Sequence, residues 1–285
     1  MKIAKSVAAA RKALCAGHEN GHPVVLVPTM GALHEGHLSL IRRARQLAGT
    51  NGTVVVSIFV NPTQFGPGED LAAYPRDTER DTAIVASHGA DAIFMPEPGV
   101  MYAADHATWV EVPDLARGLC GQNRPTHFRG VCTVVLKLFM LSAADVAVFG
   151  QKDWQQQAII KRMARDLNLP VRIETRPTAR EADGLALSSR NVYLSPEERA
   201  QAPQIRQALL HAQKLAQEGA GSASLLREAV LRRWAELLPL GRLDYLSIVH
   251  PESLEPLDAI TGPALMACAV RMGKARLLDN ILLRS

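Results

Sequence analysis

The sequence predicts an α/β fold, a doubly wound parallel sheet followed by a smaller α+β region, and three observations carry the prediction. Five short apolar runs fall within the first 177 residues, longer segments of helical period separate them, and the alternation stops after Pro177. Runs apolar throughout belong to strands covered on both faces, and strand–helix alternation implies right-handed crossovers between parallel strands.

The elements follow in chain order. The N-terminus "MKIAKSVAAARKALCAG" starts with charge as a leader peptide does, but Lys5, Arg11 and Lys12 interrupt any apolar segment. Ile3, Val7, Ala10 and Leu14 instead repeat at helical spacing. Strands are expected at 24–28 (VVLVP), 53–60 (TVVVSIFV), 92–96 (AIFMP), 145–150 (DVAVFG) and 171–177 (VRIETRP). Helices are expected at 37–48, 78–89, 127–142 and 151–168. Beyond the polar loop "TAREADGLALSSRN" come helices at 196–217 and 222–238, joined by "EGAGSAS", then the β-like "DYLSIV" and "ALMACAV". Residues 1–177 are therefore expected to form a Rossmann-like, ligand-binding domain, and 178–285 a smaller α+β domain that acts as a lid.

Composition narrows the function. With 285 residues, 47% of them hydrophobic, the chain is long enough for a substantial core. Its net charge of +4 is spread along the chain, with no basic run or basic–aromatic stripe, which argues against nucleic acid and suits small anions. The four cysteines, Cys15, Cys120, Cys132 and Cys268, form no CxxC pair and have no zinc-ligand spacing with histidine. No stretch approaches the roughly 20 apolar residues of a membrane span. A cytoplasmic protein that engages no membrane is the expectation.

The first βα turn is where such a sheet usually holds phosphate, because strand carboxyl ends and a helix N-terminus converge there. Neither GxGxxG nor GxxxxGK[ST] is present; the turn reads "PTMGALHEGH". Gly31 and Gly36 let backbone approach a ligand, while His34 and His37 supply imidazole N–H groups for phosphoryl oxygens. Zinc is the weaker reading, since HExxH spacing and a third ligand are missing. A cap role at the helix start suits either histidine alone.

Read from the residues only, "FGQKDWQQ" is an ordinary helix start after a strand, "SSRN" a surface turn, and "NPTQF" a turn whose Gln64 amide can orient a hydroxy acid. Together the motifs say more. "PTMGALHEGH" resembles the HxGH signature of the nucleotidyltransferase superfamily, and with "SIFVNPTQF", "YPRD", "RPTHFRGV", "FGQKDWQQ", "DGLALSSRN" and "RLLDN" in order the chain resembles the pantoate–β-alanine ligase family over nearly its whole length.

That resemblance implies a two-step ligation. Pantoate attacks the α-phosphate of ATP to give pantoyl adenylate and pyrophosphate, and β-alanine then displaces AMP. It implies His37 and His34 as catalytic groups. The ATP-binding set it implies is Met30, Gly31, Ala32, Leu33, His34, Glu35, Gly36 and His37, then Gly150, Gln151, Lys152 and Asp153, then Ala179, Leu187, Ser188, Ser189 and Arg190. Gln64, Gln156, Asn61, Tyr74 and Arg124 are implied to bind pantoate or β-alanine, and Asp81 to hold β-alanine's ammonium or help place Mg²⁺. A homodimer is also implied. Thr126, Gln151 and Trp154 depart from the family's usual residues; neither Thr126 nor Gln151 touches the main chemistry. Two other functions stay open at this level: transfer of a nucleotidyl group to a phosphorylated acceptor, and a non-catalytic ATP sensor.

Overall fold

The computed structural model describes residues 1–14, 18 and 21–284, so Cys15 lies outside the described residues. The chain divides into two compact units interleaved along the sequence. The first comprises Met1–Pro113, Arg124–Gln151 and Ile159–Pro177, and the second Asp114–Asn123, Lys152–Ala158 and Thr178–Ser285.

The first unit is built on six parallel strands: β1 (Lys2–Ala4), β2 (Val24–Thr29), β3 (Thr53–Ile58), β4 (Ala92–Phe94), β5 (Val146–Gly150) and β6 (Arg172–Arg176). Their order across the sheet is β1-β4-β3-β2-β5-β6. The chain walks outward from β2 through β3 to β4, then returns to β5 and walks the other way. The reversal between β2 and β5 is the topological switch point, where open α/β sheets bind ligands.

The main helices are α1 (Val7–Leu14), α2 (Glu35–Ala48), α3 (Thr78–Ser87), α4 (His127–Ser142) and α5 (Trp154–Asp166). Val25, Val27, Val54, Val56, Val146 and Val148 pack with Leu40, Ile41 and Ala44 of α2 in one buried cluster. This is the doubly wound α/β sheet that the apolar runs predict, but the edges differ. Residues 2–4 are a strand, because their backbone pairs with β4 in register Lys2↔Ala92, so Ile3 is not the start of a helix. Strands β3 and β4 are shorter than expected because the chain leaves the sheet into turns. The helical segment expected from 151 begins as a 3₁₀ turn at Gln151–Asp153.

The second unit contains α6 (Pro196–Gln201), α7 (Gln204–Gln217), α8 (Ala223–Leu237) and an antiparallel sheet ordered β7 (Gly241–Val249), β8 (Ala264–Met272), β9 (Ala275–Arg284). The single helix expected at 196–217 is two: Pro203 has no N–H to donate into the preceding turn, and the second helix starts just after it. Ser195 and Glu198 close a capping box at the start of α6. Leu209, Leu226, Val230, Met266 and Cys268 are fully buried in this unit's core. No helix among the described residues is long and apolar enough to cross a membrane.

Candidate active site

Strand β2 hands over to α2 through a turn in which Gly31 has φ 83° and Ala32 φ 50°, two successive residues in the left-handed region. The bend aims two backbone amides at one carboxylate. Ala32 N–H donates to Asp81 Oδ2 at 2.7 Å and Leu33 N–H to Asp81 Oδ1 at 2.9 Å. Asp81 comes from α3 and is 1% exposed. Its expected role with an ammonium or Mg²⁺ is thereby corrected: both oxygens are engaged in shaping the turn. Only glycine fits at Gly31, since a Cβ there would lie 2.9 Å from Asp81 Oδ2.

Helix α2 then begins with the histidines. His34 is its N-cap, and Nδ1 of His34 accepts from Gly36 N–H at 3.1 Å. Nδ1 of His37 accepts from His34 N–H at 3.3 Å, and the ring centroids lie 4.2 Å apart. A ring nitrogen that accepts from an amide carries no proton, so each neutral ring holds its proton on Nε2. The capping bonds thus take Nδ1 of both rings and place the ring protons on Nε2. Elsewhere in the turn, Glu35 pairs with Arg42 along the helix, and Met30 Sδ accepts from Gln64 Nε2 at 2.9 Å.

The 61–65 turn follows β3. Asn61, 1% exposed, gives Nδ2 hydrogen bonds of 3.1 Å to Gln64 Oε1 and to the Gly130 carbonyl, while its Oδ1 accepts from Thr63. Gly130 lets α4 come this close, because a Cβ there would meet the Thr63 carbonyl oxygen at 2.5 Å. Arg124 donates twice to Glu69, each at 2.6 Å, and once to the Gln64 carbonyl at 3.2 Å. His127 Nδ1 donates to the same carbonyl at 2.8 Å. Burial alone would raise the Glu69 carboxyl, but the Arg124 bonds and charge hold it below the usual carboxylate range. Tyr74 is buried, edge-on to Phe65 at 6.0 Å. Met30, Asn61, Gln64 and Arg124 therefore form one network in which Asn61 and Arg124 hold Gln64. At the end of β5, Gly150 faces open space and Gln151 Nε2 donates to Thr175 Oγ1 at 3.5 Å.

In the second unit, Lys152, Ser188 and Asp279 line a pocket with Leu185, Ile205 and Leu277. Burial pushes the Lys152 ammonium below the ordinary lysine value and nearby Arg190 adds to this, while Asp153 and Asp279 oppose it. Asp153 is exposed and Gln156 half-buried. Their neighbour Gln155 is structural: it accepts from Cys120 N–H and donates to the Leu115 and Gly118 carbonyls. Ser188 Oγ accepts from Arg190 N–H and caps the 3₁₀ turn Ser189–Tyr193, and Leu187 N–H donates to the Ala179 carbonyl. Arg180 forks onto Asp279 at 2.7 and 2.8 Å, and Arg199 bridges Glu181 and Asp183 at 2.6 Å each. Sequence reasoning missed Glu69, Gln155 and these ion pairs; the charged run "TAREADG" was the only signal for any of them.

The comparisons with known proteins agree with one another. The family profile described as Pantoate-beta-alanine ligase matches residues 2–282. The pantothenate synthetase of Desulfovibrio desulfuricans is 86% identical over 270 residues, 95% of each chain, and that of Nitratidesulfovibrio vulgaris (strain Miyazaki F) is 62% identical over 264 residues, 93% of this chain and 92% of its own. A crystal structure of the Thermus thermophilus pantothenate synthetase matches at TM-score 0.93 and 46% identity, covering 100% of both chains. The Francisella tularensis pantoate-beta-alanine ligase, complexed with beta-gamma ATP and beta-alanine, matches at TM-score 0.80 and 32% identity over 99% of this chain and 98% of that one. The chain belongs to the pantoate–β-alanine ligase family, enzymes that use ATP to join pantoate to β-alanine through a pantoyl adenylate, releasing AMP and pyrophosphate.

Proposed function

We propose that in this ligase the histidine turn and the carboxyl edge of the six-stranded sheet carry adenylate formation, with His37 and His34 donating to phosphoryl oxygens. The observation that supports this is the engagement of both Nδ1 atoms by backbone amides, which leaves Nε2 of each ring as the proton carrier at a helix N-terminus. Donors preset in this way need no reorganisation when charge develops on the transferring group. The pantoate carboxylate attacks the α-phosphorus while the bond to pyrophosphate breaks; the β-alanine amine then attacks the acyl carbon and AMP departs.

In this reading Gln64 and Gln156 orient pantoate, and Asn61, Tyr74 and Arg124 act from behind by fixing Gln64 and its loop. Lys152 and Arg190 supply positive charge to the triphosphate, with Ser188 and Ser189 as short donors. Asp153, Gly150, Gln151, Ala179 and Leu187 belong to the nucleoside end. Mg²⁺ enters as part of the nucleotide substrate: it keeps several waters and takes phosphate oxygens with one or two carboxylates, a donor set that needs no protein cage. We infer a cytoplasmic homodimer, a setting supported by the free thiols of Cys120, Cys132 and Cys268 and by family resemblance.

The test is AMP and pyrophosphate release with ATP, Mg²⁺, pantoate and β-alanine, each omitted in turn. Omitting β-alanine should leave a single-turnover burst of pyrophosphate, and omitting pantoate should abolish it. Release that requires a phosphorylated acceptor instead of pantoate would overturn the reading.

A further inference from the structure

Three charged residues stand on one face of β6, and only two of them answer one another. Arg172 bonds Glu174 at 3.1 Å, and Glu174 also accepts from Arg43 of α2 at 2.9 Å. Side chains two apart on a strand share a face, so Arg176 lies on this same α2-covered face, one step nearer the carboxyl edge. In-register neighbours on β5 confirm the face: Val148 pairs with Glu174 and is buried against α2, and Gly150 pairs with Arg176. Among the described residues Arg176 has no carboxylate as Arg172 has. Its Nε is buried without a hydrogen-bond partner, an arrangement that costs stability unless another group completes it.

The space beside it is shaped to admit something. Gly150 contributes no side chain, and a Cβ placed there would meet nothing within 4 Å. Adjacent strands are about 4.8 Å apart, so β6 stands roughly 10 Å along the edge from β2 and its histidine turn. That offset separates Arg176 from the imidazoles that serve the phosphates and puts it toward the nucleoside end of the same ligand. A planar guanidinium is suited to lie against a purine ring or donate to its ring nitrogens.

We propose that Arg176 is a binding residue for the purine of ATP, seated over Gly150. The proposal rests on the ATP reading above and adds a contact to it. The experiment compares the parent with Arg176→Leu and Arg176→Lys, at matched melting temperature, by calorimetric titration with adenosine and with inorganic pyrophosphate. The KM values for ATP and pantoate are measured alongside.

Arg176→Leu should weaken adenosine and raise the ATP KM by the same factor, about three- to tenfold, the range expected for one guanidinium–aromatic contact. Pyrophosphate binding and the pantoate KM should not move, and Arg176→Lys should recover part of the loss. Unchanged adenosine binding, including binding to neither protein, overturns the proposal, as does a loss confined to pyrophosphate. Pantoate-dependent pyrophosphate release by the parent bears separately on the reaction: if it failed while adenosine binding still depended on Arg176, the ligase reading would fall and this contact would stand.

Discussion

The histidine turn of the first unit and the 179–191 loop of the second are both sharply bent segments, yet different forces hold them. The turn rests on a buried carboxylate that accepts two amides, sealed by Leu33 at 1% exposure. The loop is anchored at its start by Arg180 on buried Asp279, but Glu181 and Asp183 beyond it are tied by ion pairs to Arg199, about a third of whose side chain is exposed. Buried amide–carboxylate bonds are indifferent to salt, whereas exposed pairs are screened and worth little individually. One segment is preset and the other can yield. On the proposed reading, donors that must await developing charge sit on the first kind and the segment that admits the nucleotide is the second.

The largest effect should come from the carboxylate itself. Asp81→Ala leaves two amides without acceptors, costing about 2–5 kcal/mol of stability, and should slow adenylate formation as the turn relaxes. A melting temperature and burst amplitude equal to the parent's would erase the contrast between the segments. Next is His37→Ala, which should keep its fold but lose about 10²–10³ in adenylate formation, or 2.7–4 kcal/mol, as expected for one preorganised donor. His34→Ala should lose a similar amount together with ATP affinity. Pre-steady-state pyrophosphate release decides both.

Arg199→Ala should cost under about 1 kcal/mol in stability and raise the ATP KM more than the pantoate KM, with the gap to the parent closing as salt is added. Equal effects on both substrates would mean that the loop does not serve the nucleotide. The smallest effect concerns pH. The Lys152 ammonium, depressed first by burial, is charged below its lowered pKa and neutral above it. ATP affinity should therefore fall as pH climbs through that value, at lower pH than an ordinary lysine would require. Lys152→Arg should flatten this limb, because guanidinium keeps its proton.

Helix α4 was legible to the residue, 127–142, because its apolar period runs unbroken to Ala143, a left-handed residue that ends it. The break at Pro203 was also written in the sequence, but the apolar period on both sides of it masks the missing donor. Strand β1 is only three residues long and exists through its pairing with β4, a tertiary fact that no local pattern contains. The site divides the same way. The histidines, Gln64 and Lys152 stand in motifs whose residue types fit the chemistry. Asp81 is a single acid on an ordinary helix, and its bonds to Ala32 and Leu33 span 49 and 48 residues of sequence. Arg124 stands in a legible motif, but Glu69, the acid it bonds, is 55 residues away and is brought to it by folding.

The interleaving of the two units has a consequence for how the protein is made. Segments Asp114–Asn123 and Lys152–Ala158 belong to a unit whose remainder, Thr178–Ser285, is translated later. At about 5–20 residues per second, the earlier segment waits some 10–30 s for the last strand of its own unit. During that interval the Cys120 thiol is without Tyr245 and Arg276, which bond it in the finished unit. A gene cut at residue 177 would yield two fragments, each missing or carrying pieces of the other, so the halves should not fold as independent products and should be rescued only when synthesised together.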